Sequence, residues 1–145
     1  MPNLKMCGVV EIEFGSELYR EERLLRDEML RKPIGLALPE RMEDEGACRH
    51  FGLVKTGRLE ACLIVVPREA GVVQIRQMAV RAERQGRGLG RALMDAAEAA
   101  IRADGIDRIY LNARATAVGF YEKLGYRVVG KPFTEVGIPH RRMEK

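Results

Sequence analysis

The chain has 145 residues, of which 46% are hydrophobic, and this suffices for one globular domain, residues 1–145, with its own core. Its 25 basic and 21 acidic residues leave a net charge of +4 without a run of five like charges, so a nucleic-acid partner is only a weak alternative. The cysteines, Cys7, Cys48 and Cys62, form no C-x-x-C pair, which predicts neither a disulfide framework nor a metal site. This cysteine pattern is typical of a reducing cytosol, so the sequence predicts a cytoplasmic protein. No segment approaches the roughly 18 apolar residues of a membrane span, which predicts a soluble protein with no membrane partner.

The first predicted elements are a strand and a helix. Residues 8–14 alternate apolar and acidic side chains, which is typical of a strand at the edge of a sheet. Ser16 is a predicted N-cap for a helix that continues to about Leu30 and ends before Pro33. The apolar face of this helix is expected to consist of Leu18, Leu25 and Met29. Its solvated face is expected to consist of Glu21, Glu22 and Arg26.

A loop and three strands are predicted to follow. Residues 36–46 contain a proline and several acidic residues, and we interpret them as a loop or a short helix. Residues 48–55 and 58–66 are predicted strands joined by Thr56-Gly57, a two-residue connection that favours a hairpin. Residues 72–80 are predicted to add a third strand.

The second half of the chain alternates helical and strand patterns, which predicts an α/β fold with a mixed sheet. In the helix from Leu89 to Arg102, the face expected to pack on the sheet consists of Leu89, Leu93, Ala96 and Ala100. The face expected in water consists of Arg91, Asp95, Glu98 and Arg102, the last two as an ion pair. A strand at residues 106–111 and a short helix complete this region, and the inward face of that helix is expected to be Ala117, Phe120 and Leu124. Two further strands are predicted at residues 126–129 and 138–143.

The most informative segment joins the strand at residues 72–80 to the next helix, and it contains Gly86, Gly88 and Gly90. The N–H groups of a first helical turn lack partners and carry partial positive charge. A strand, a glycine-rich turn and a helix N-terminus therefore predict a phosphate site. The glycines remove the Cβ atoms that would hold a pyrophosphate away from those N–H groups.

The spacing of these glycines excludes two common nucleotide sites. A dinucleotide fingerprint would need glycine at position 91 or 93, where Arg91 and Leu93 stand. A Walker loop would need Gly-Lys-Ser or Gly-Lys-Thr, whereas Gly130-Lys131 is followed by Pro132. A tight turn that binds nothing is left open as the alternative for this segment taken alone.

Three motifs in order resemble one enzyme superfamily. The segment QGRGLG at residues 85–90 fits the pattern Q/R-x-x-G-x-G/A and resembles the acetyl-CoA pyrophosphate loop of the GNAT (Gcn5-related) N-acetyltransferases. Asn112, followed by Tyr121 within FYEKLGY at residues 120–126, resembles the second signature of that superfamily. Residues 135–143 resemble the E-x-G-I-P-H-x-x-M pattern of its small bacterial ElaA-like and YjcF-like members.

The resemblance implies a mixed sheet that opens between the strand ending at Val80 and the strand ending at Leu111, with acetyl-CoA as cosubstrate in the opening. Pantetheine would bond to the backbone of Met78 and Val80, and an N–H near Ala79 would polarise the thioester carbonyl. The implied cofactor-binding residues are Met78, Ala79, Val80, Gln85, Gly86, Arg87, Gly88, Leu89, Gly90, Arg91 and Asn112. Four arginines cluster where the CoA phosphates would lie: Arg81, Arg84, Arg87 and Arg91.

The implied chemistry is direct transfer of the acetyl group from the thioester to an amine. Tyr121 would act as the acid that protonates the departing thiolate, because a phenol keeps its proton at neutral pH. Several members carry a glutamate on the fourth strand at the position of Gln74, and glutamine cannot accept a proton. Glu135 and His140 are therefore the candidate bases, acting directly or through water.

Alternative roles are left open for each of these residues. Tyr121 would pack against CoA without giving up a proton, and His140 would only bond a backbone carbonyl. Glu135 would bind the acceptor amine instead of taking its proton. Arg76 or Arg114 would hold a carboxylate of the acceptor, although Arg114 would equally form an ion pair within the fold.

Two alternatives concern the whole protein. A catalytically silent acyl-CoA-binding sensor or partner protein is the alternative function, and a homodimer is the alternative to a monomer. Residues 36–46 would either shape the acceptor pocket or form a solvated surface loop.

Overall fold

The structure is a computed structural model that describes residues 8–35 and 44–145. Within these residues, one 7-stranded sheet has the strand order β1-β2-β3-β4-β5-β7-β6. The strands are β1 (Gly8–Ile12), β2 (Arg49–Lys55), β3 (Arg58–Glu69), β4 (Val72–Val80), β5 (Arg108–Arg114), β6 (Arg127–Glu135) and β7 (Ile138–Glu144). Strands β4 and β5 are parallel, and all other neighbouring pairs are antiparallel. The predicted mixed sheet with flanking helices is confirmed.

The α-helices of the described residues are α1 (Glu17–Arg26), α2 (Leu89–Ala103) and α3 (Val118–Lys123). Ser16 caps α1 as predicted, because its hydroxyl accepts a hydrogen bond from the Tyr19 N–H at 3.2 Å. A π-helical turn (Asp27–Arg31) and a 3₁₀ turn (Lys32–Ile34) extend α1 across the sheet. No helix within the described residues has both the length and the apolar character needed to cross a bilayer.

The predicted hairpin between β2 and β3 is confirmed. Thr56 and Gly57 have φ of 51° and 75°, and positive φ at both central residues is what a type I′ turn requires. Strand β3 continues beyond the predicted end because Glu69 pairs with Val72 of β4. Residues 36–43 of the predicted loop lie outside the described residues.

The two faces of the sheet pack against different helices. On one face, Leu93 of α2 and Tyr121 of α3 belong to a cluster with alternate residues of β5, namely Ile109, Leu111 and Ala113. On the other face, Leu25 of α1 packs against Cys62 and Ala79. Because side chains alternate along a strand, the α1 face of β5 carries Tyr110, Asn112 and Arg114.

The predicted solvated face of α1 is wrong at Glu22 and Arg26, which are both fully buried. The Arg26 guanidinium lies 2.7 Å from the Glu22 carboxylate and 2.6 Å from the Glu45 carboxylate. His50 completes the group, with Nδ1 3.0 Å from Glu22 Oε2 and Nε2 2.8 Å from the Glu45 carbonyl oxygen. Both nitrogens face oxygens that only accept, so His50 donates twice and its positive charge helps to balance the cluster. Paired charges of this kind are what allow a polar face to be buried.

The predicted surface pair on α2 is also wrong. Glu98 is only 8% exposed, and its carboxylate accepts hydrogen bonds from the Tyr126 hydroxyl at 2.9 Å and the Lys145 ammonium at 2.7 Å. Arg102 donates instead to the backbone carbonyl of Asp107. Glu98 therefore ties α2 to the region after α3 and to the end of β7.

The buried faces of α2 and α3 each differ from the predicted face by one position. Leu89 and Leu93 of α2 are buried as predicted, but the fully buried side continues through Ala97 and Ile101. Ala100 is half-buried against this core, and Ala96 is half-buried as well. On α3, Phe120 is 37% exposed, whereas Tyr121 is 8% exposed. The helix thus turns Tyr121 inward, toward the centre of the sheet.

Candidate active site

A cleft of about 620 Å³ opens where β4 and β5 separate. The two strands pair only from Val72 opposite Arg108 to Ile75 opposite Leu111, although both continue beyond these residues. The cleft is lined by residues 74–80, 111–114 and 29–31, together with Ile34, Gln85, Thr116, Ala117, Tyr121, Glu135, Val136 and His140. The predicted opening of the sheet is therefore present, and it is reached from both faces.

A β-bulge shapes the β4 wall of the cleft. Cys62 of β3 pairs with Ala79, whereas Ile64 pairs with Arg76, so β4 contains one extra residue between these positions. Gln77 has φ of +56°, which is uncommon for a residue other than glycine. Such bulges bend a strand and turn its side chains, and they are frequent beside active sites.

The backbone of β4 presents hydrogen-bonding groups to the cleft. Arg81 donates its N–H to the Glu60 carbonyl of β3 at 2.8 Å, and successive residues of a strand point to alternate edges. The N–H groups of Met78 and Val80 therefore face the cleft, while that of Ala79 faces β3. The Val80 carbonyl is occupied, because it accepts a hydrogen bond from the Gln85 amide at 3.1 Å.

The glycine loop presents N–H groups at the N-terminus of α2. Gly86 and Gly88 have φ of 77° and 81°, and a Cβ at either position would meet no atom within 4 Å. The Ala92 N–H bonds to the Gly88 carbonyl at 3.0 Å, so the N–H groups of residues 89–91 precede the first helical hydrogen bond. Gly90 has a different role, because a Cβ there would lie 3.1 Å from Phe120 and 3.2 Å from Met78. Gly90 permits close packing, and the other two glycines leave an open surface.

The four arginines predicted beside the phosphates have different surroundings. Arg81 and Arg84 lie 3.3 Å and 3.5 Å from the carboxylate of Glu60, which is 1% exposed. These two arginines therefore neutralise a buried acid and hold the turn after β4. Arg91 lies 3.9 Å from Asp95, and Arg87 is exposed on the loop. Arg87 is the arginine of this group best suited to attract an anion from solvent.

Tyr121 borders the cleft from the face that carries α2 and α3. Its ring packs edge-on against Phe120 and Tyr126, with centroids 5.0 Å and 5.9 Å away. Burial raises the pKa of Tyr121 to about 12. The phenol is therefore protonated at neutral pH, which is the form that can donate a proton.

Glu135 and His140 meet at the other side of the cleft. His140 is 5% exposed, and its Nδ1 lies 2.7 Å from the Ile138 carbonyl oxygen, which can only accept. Nδ1 therefore carries the proton in the neutral ring, and Nε2 keeps a lone pair. Nε2 lies 3.6 Å from Oε2 of Glu135, whose side chain is 47% exposed. Stacking of the imidazole on Phe133, at 5.8 Å between centroids, further orients it.

The strand register places Glu135 and His140 on the α1 face of the sheet. His140 lies opposite Arg114 of β5, and the side chain of Arg114 points to the α1 face. Asn112 lies on the same face, opposite Arg142. His140 and Tyr121 thus approach the cleft from opposite faces.

Gln74 is a buried structural group that lines the cleft. Its side-chain oxygen accepts hydrogen bonds from Arg68 Nε at 2.9 Å and from the Tyr110 hydroxyl at 3.2 Å. The side-chain oxygen of Gln74 is therefore held by donors of the protein itself. Sequence reasoning did not identify Arg31 as a cleft residue, because the π-helical turn that positions it has no sequence signal of its own.

One group outside the cleft has the residue types of a metal site. Ligating atoms of Glu22, Glu45 and His50 lie within 4.8 Å of one another. The Arg26 guanidinium bonds to both carboxylates, so these oxygens already have a cation as partner. The donor set therefore fits an internal ion-pair cluster better than a metal.

Sequence comparison matches most of the chain to one family. The model of the acetyltransferase (GNAT) domain matches residues 22–145. The chain is 38% identical to the uncharacterized N-acetyltransferase YjcF of Bacillus subtilis over 76 residues, which are 52% of this chain and 54% of that protein. It is also 38% identical to YyaT of Bacillus subtilis over 58 residues, 40% of this chain and 39% of that protein. The chain thus matches about half or less of the length of these two relatives.

Solved structures match the fold over nearly the whole chain. Escherichia coli ElaA has a TM-score of 0.85 at 22% identity, with 97% of this chain and 99% of that chain covered. An acyl-CoA N-acyltransferase from Pseudomonas aeruginosa has a TM-score of 0.74 at 25% identity, with the same shares covered, 97% and 99%. Both comparisons agree with the fold that the resemblance implies.

Proposed function

Because the chain belongs to the acetyltransferase (GNAT) family, we propose that it transfers an acetyl group from acetyl-CoA directly to a primary amine of a small molecule, peptide or protein. The observation that carries this proposal is the cleft between β4 and β5, which adjoins the glycine loop. Tyr121 borders it from one face and His140 from the other. A proton donor for the thiolate and a proton acceptor for the amine are thus available on opposite sides of one reacting centre.

Acetyl-CoA binds along β4 in this proposal. The pyrophosphate accepts hydrogen bonds from the N–H groups of residues 89–91, where the helix dipole favours negative charge. The N–H groups of Met78 and Val80 have no strand partner on the open edge of β4. One of them bonds to the pantetheine arm, and the other is left for the carbonyl oxygen of the thioester. Asn112 lies on the facing strand and supplies an amide side chain for the same arm. The exposed Arg87 adds positive charge beside the loop.

Amine activation is assigned to His140. The Ile138 carbonyl holds its Nδ1–H, so the lone pair on Nε2 accepts a proton from the ammonium group. The Glu135 carboxylate, 3.6 Å away, stabilises the imidazolium that forms. The neutral amine then attacks the thioester carbonyl, and the C–N bond forms. An N–H of Met78 or Val80 stabilises the negative charge that develops on the carbonyl oxygen.

Thiolate departure is assigned to Tyr121. As the C–S bond breaks, the phenol donates its proton to the sulfur, giving neutral CoA thiol. The nitrogen of the new C–N bond then loses its second proton, which returns through water to the Tyr121 phenolate and leaves the neutral amide product. A pKa of about 12 makes this phenol a weak acid. The same apolar surroundings disfavour the thiolate, however, so burial raises the proton affinity of the sulfur as well. Holding both reactants in line lowers the activation barrier by several kcal/mol more, roughly the effect seen in intramolecular reactions.

A catalytically silent acyl-CoA-binding protein is the second candidate function. Gln74 favours it, because a buried neutral amide stands where several members of the family have glutamate. The hydrogen bonds from Arg68 and Tyr110 engage its oxygen, so no proton acceptor is available at this position.

The test combines binding with turnover. Calorimetry with acetyl-CoA measures binding, and thiol release with a panel of primary amines, followed by mass spectrometry of the products, measures transfer. Binding with amine-dependent thiol release and an amide product supports the transferase. Binding without thiol release from any amine supports the silent protein, and absence of binding contradicts both.

A further inference from the structure

We infer that the amine acceptor carries an oxyanion, a carboxylate or a phosphate, which Arg76 and Arg31 bind on the α1 side of the cleft. This inference rests on the proposed transfer reaction, because it defines the chemical class of the second reactant. It is carried by the charge of the cleft, by the unpaired state of the two guanidinium groups and by their position relative to His140.

The permanent charges that line the cleft are unequal. Among the described residues, its cations are Arg31, Arg76 and Arg114, and its anion is Glu135. A site with three guanidinium groups and one carboxylate attracts a negative ligand and repels a simple cation. An alkylammonium without an acidic group would therefore bind poorly here.

Arg76 has no internal partner within residues 8–35 and 44–145. Its guanidinium makes no hydrogen bond or ion pair with these residues. Arg49, an arginine outside the cleft, shows the contrast, because it contacts both Glu11 and Asp104. Arg76 follows Ile75, the last residue of β4 that pairs with β5, so it stands where the cleft begins. Its partner on β3 is Ile64, which points away from the cluster formed with α2. Arg76 is thus an exposed guanidinium on the α1 face, at the mouth of the reacting centre.

Arg31 supplies an independent indication. Its Nε is buried and has no hydrogen-bond partner among the described residues. A buried N–H without an acceptor is costly, and a ligand oxygen at this place would remove the cost. Arg114 is engaged differently, because its Nη2 donates to the Leu30 carbonyl at 3.2 Å and so ties the extension of α1 to β5.

The strand register gives the separation between Arg76 and His140. By register, Arg76 is level with Asn112, and His140 is level with Arg114, two strands away from β4. Two strand spacings and two residue rises place the Cα atoms of Arg76 and His140 at least about 12 Å apart. Because the long Arg76 side chain and the His140 ring both extend from these Cα atoms, a single acceptor can reach both groups, and the acceptor series measures the preferred spacer.

The experiment compares matched acceptors in two variants. ω-Amino acids from β-alanine to 6-aminohexanoate are each compared with the n-alkylamine of equal chain length, and aminoalkyl phosphates are compared with the corresponding amino alcohols. The native protein is expected to prefer the anionic member by at least about tenfold in kcat/KM. Arg76→Gln should remove that preference by lowering kcat/KM for the anionic member, with the alkylamine changed by less than about twofold. The carboxylate and phosphate series together show which oxyanion is bound.

Arg20→Gln is the charge-matched control. Arg20 is 75% exposed on α1 and lies outside the cleft, so its loss changes the net charge but not the site. The preference should persist in this variant. Loss of preference in Arg20→Gln as well would mean that long-range charge alone is responsible, which overturns the specific assignment to Arg76.

A binding measurement separates this inference from the proposed reaction. Calorimetry of 6-aminohexanoate and hexylamine, each added to protein saturated with CoA, needs no turnover. Equal binding of both amines to the native protein and to Arg76→Gln, with equal kcat/KM, overturns the inference and leaves the transferase standing. Arg76-dependent binding without acetylation of any amine overturns the transferase and retains the oxyanion site.

Discussion

A glycine pair offers a direct test of the proposed pyrophosphate site. Gly88 at the start of α2 and Gly105 just beyond its end both have φ of +81°, and an added Cβ meets no atom within 4 Å at either position. Alanine therefore introduces the same backbone strain at both places, about 1 kcal/mol. The melting temperature should fall by about 3 °C in each variant. The two variants differ in one respect: only the methyl group at residue 88 would face the bound pyrophosphate.

The two variants should differ in their affinity for acetyl-CoA. A methyl group at residue 88 occupies the open surface beside the N–H groups of residues 89–91 and displaces the pyrophosphate from at least one of them. A hydrogen bond to a charged acceptor contributes about 1.5–3 kcal/mol, so Gly88→Ala should weaken binding roughly 10- to 150-fold. Gly105→Ala should bind acetyl-CoA like the native protein. The assay is calorimetric titration of each variant, after a thermal melt has shown that it is folded.

Two outcomes would refute this reasoning. Equal acetyl-CoA affinity in folded Gly88→Ala and native protein would mean that the loop does not hold the pyrophosphate. Equal losses in Gly88→Ala and Gly105→Ala would mean that backbone strain, and not occupation of the site, weakens binding.

Three further predictions concern protons. Tyr121→Phe should lower kcat by roughly 100-fold or more with little change in acetyl-CoA affinity, and unchanged kcat would reduce Tyr121 to a packing residue. His140→Gln should lower kcat/KM by at least about tenfold at neutral pH and shift the acidic limb of the pH profile, whereas Glu135→Gln should act more on acceptor KM. If both variants keep the native pH profile, neither residue is the base. Burial lowers the pKa of His50, but the hydrogen bond and charge of Glu22 outweigh burial and raise the pKa above its usual 6.5. A group with a raised folded pKa stabilises the protein at low pH and loses that contribution as the pH rises through the folded pKa, so the free energy of unfolding should fall between about pH 6.5 and that value. Denaturant titrations across this range should show a smaller fall in His50→Gln, and an identical pH dependence in both proteins would contradict the assignment.

The motif residues were predictable from the sequence because each depends on local geometry or on a short pattern. The hairpin at Thr56-Gly57 follows from its two-residue connection, and the strand-to-helix turn at residues 85–90 follows from glycines that tolerate positive φ. The family assignment based on these motifs is confirmed. The roles proposed for Tyr121, Glu135 and His140 stay predictions.

The errors share a different cause, which is pairing between distant segments. Periodicity assigns Glu22 and Glu98 to solvent because it scores each side chain alone. Glu22 is buried because His50, 28 residues away, joins its helix neighbour Arg26 in neutralising it, and Glu98 is buried because Lys145, 47 residues away, donates to it. Nothing in a single sequence announces such partners. The contribution of Arg31 to the cleft was missed for the same reason, because it depends on how the extension of α1 lies across the sheet.

The placement of Tyr121 and His140 on opposite faces of the sheet has a consequence for the order of events. In a transferase whose two substrates compete for one binding site, the first product leaves before the second reactant enters, and the acyl group is stored on a side chain in between. In the proposed reaction each reactant occupies its own side of the sheet, so both can be bound at once and no acyl-enzyme is required. The proposed reaction therefore proceeds through a ternary complex, and double-reciprocal plots at varied acetyl-CoA should give intersecting rather than parallel lines.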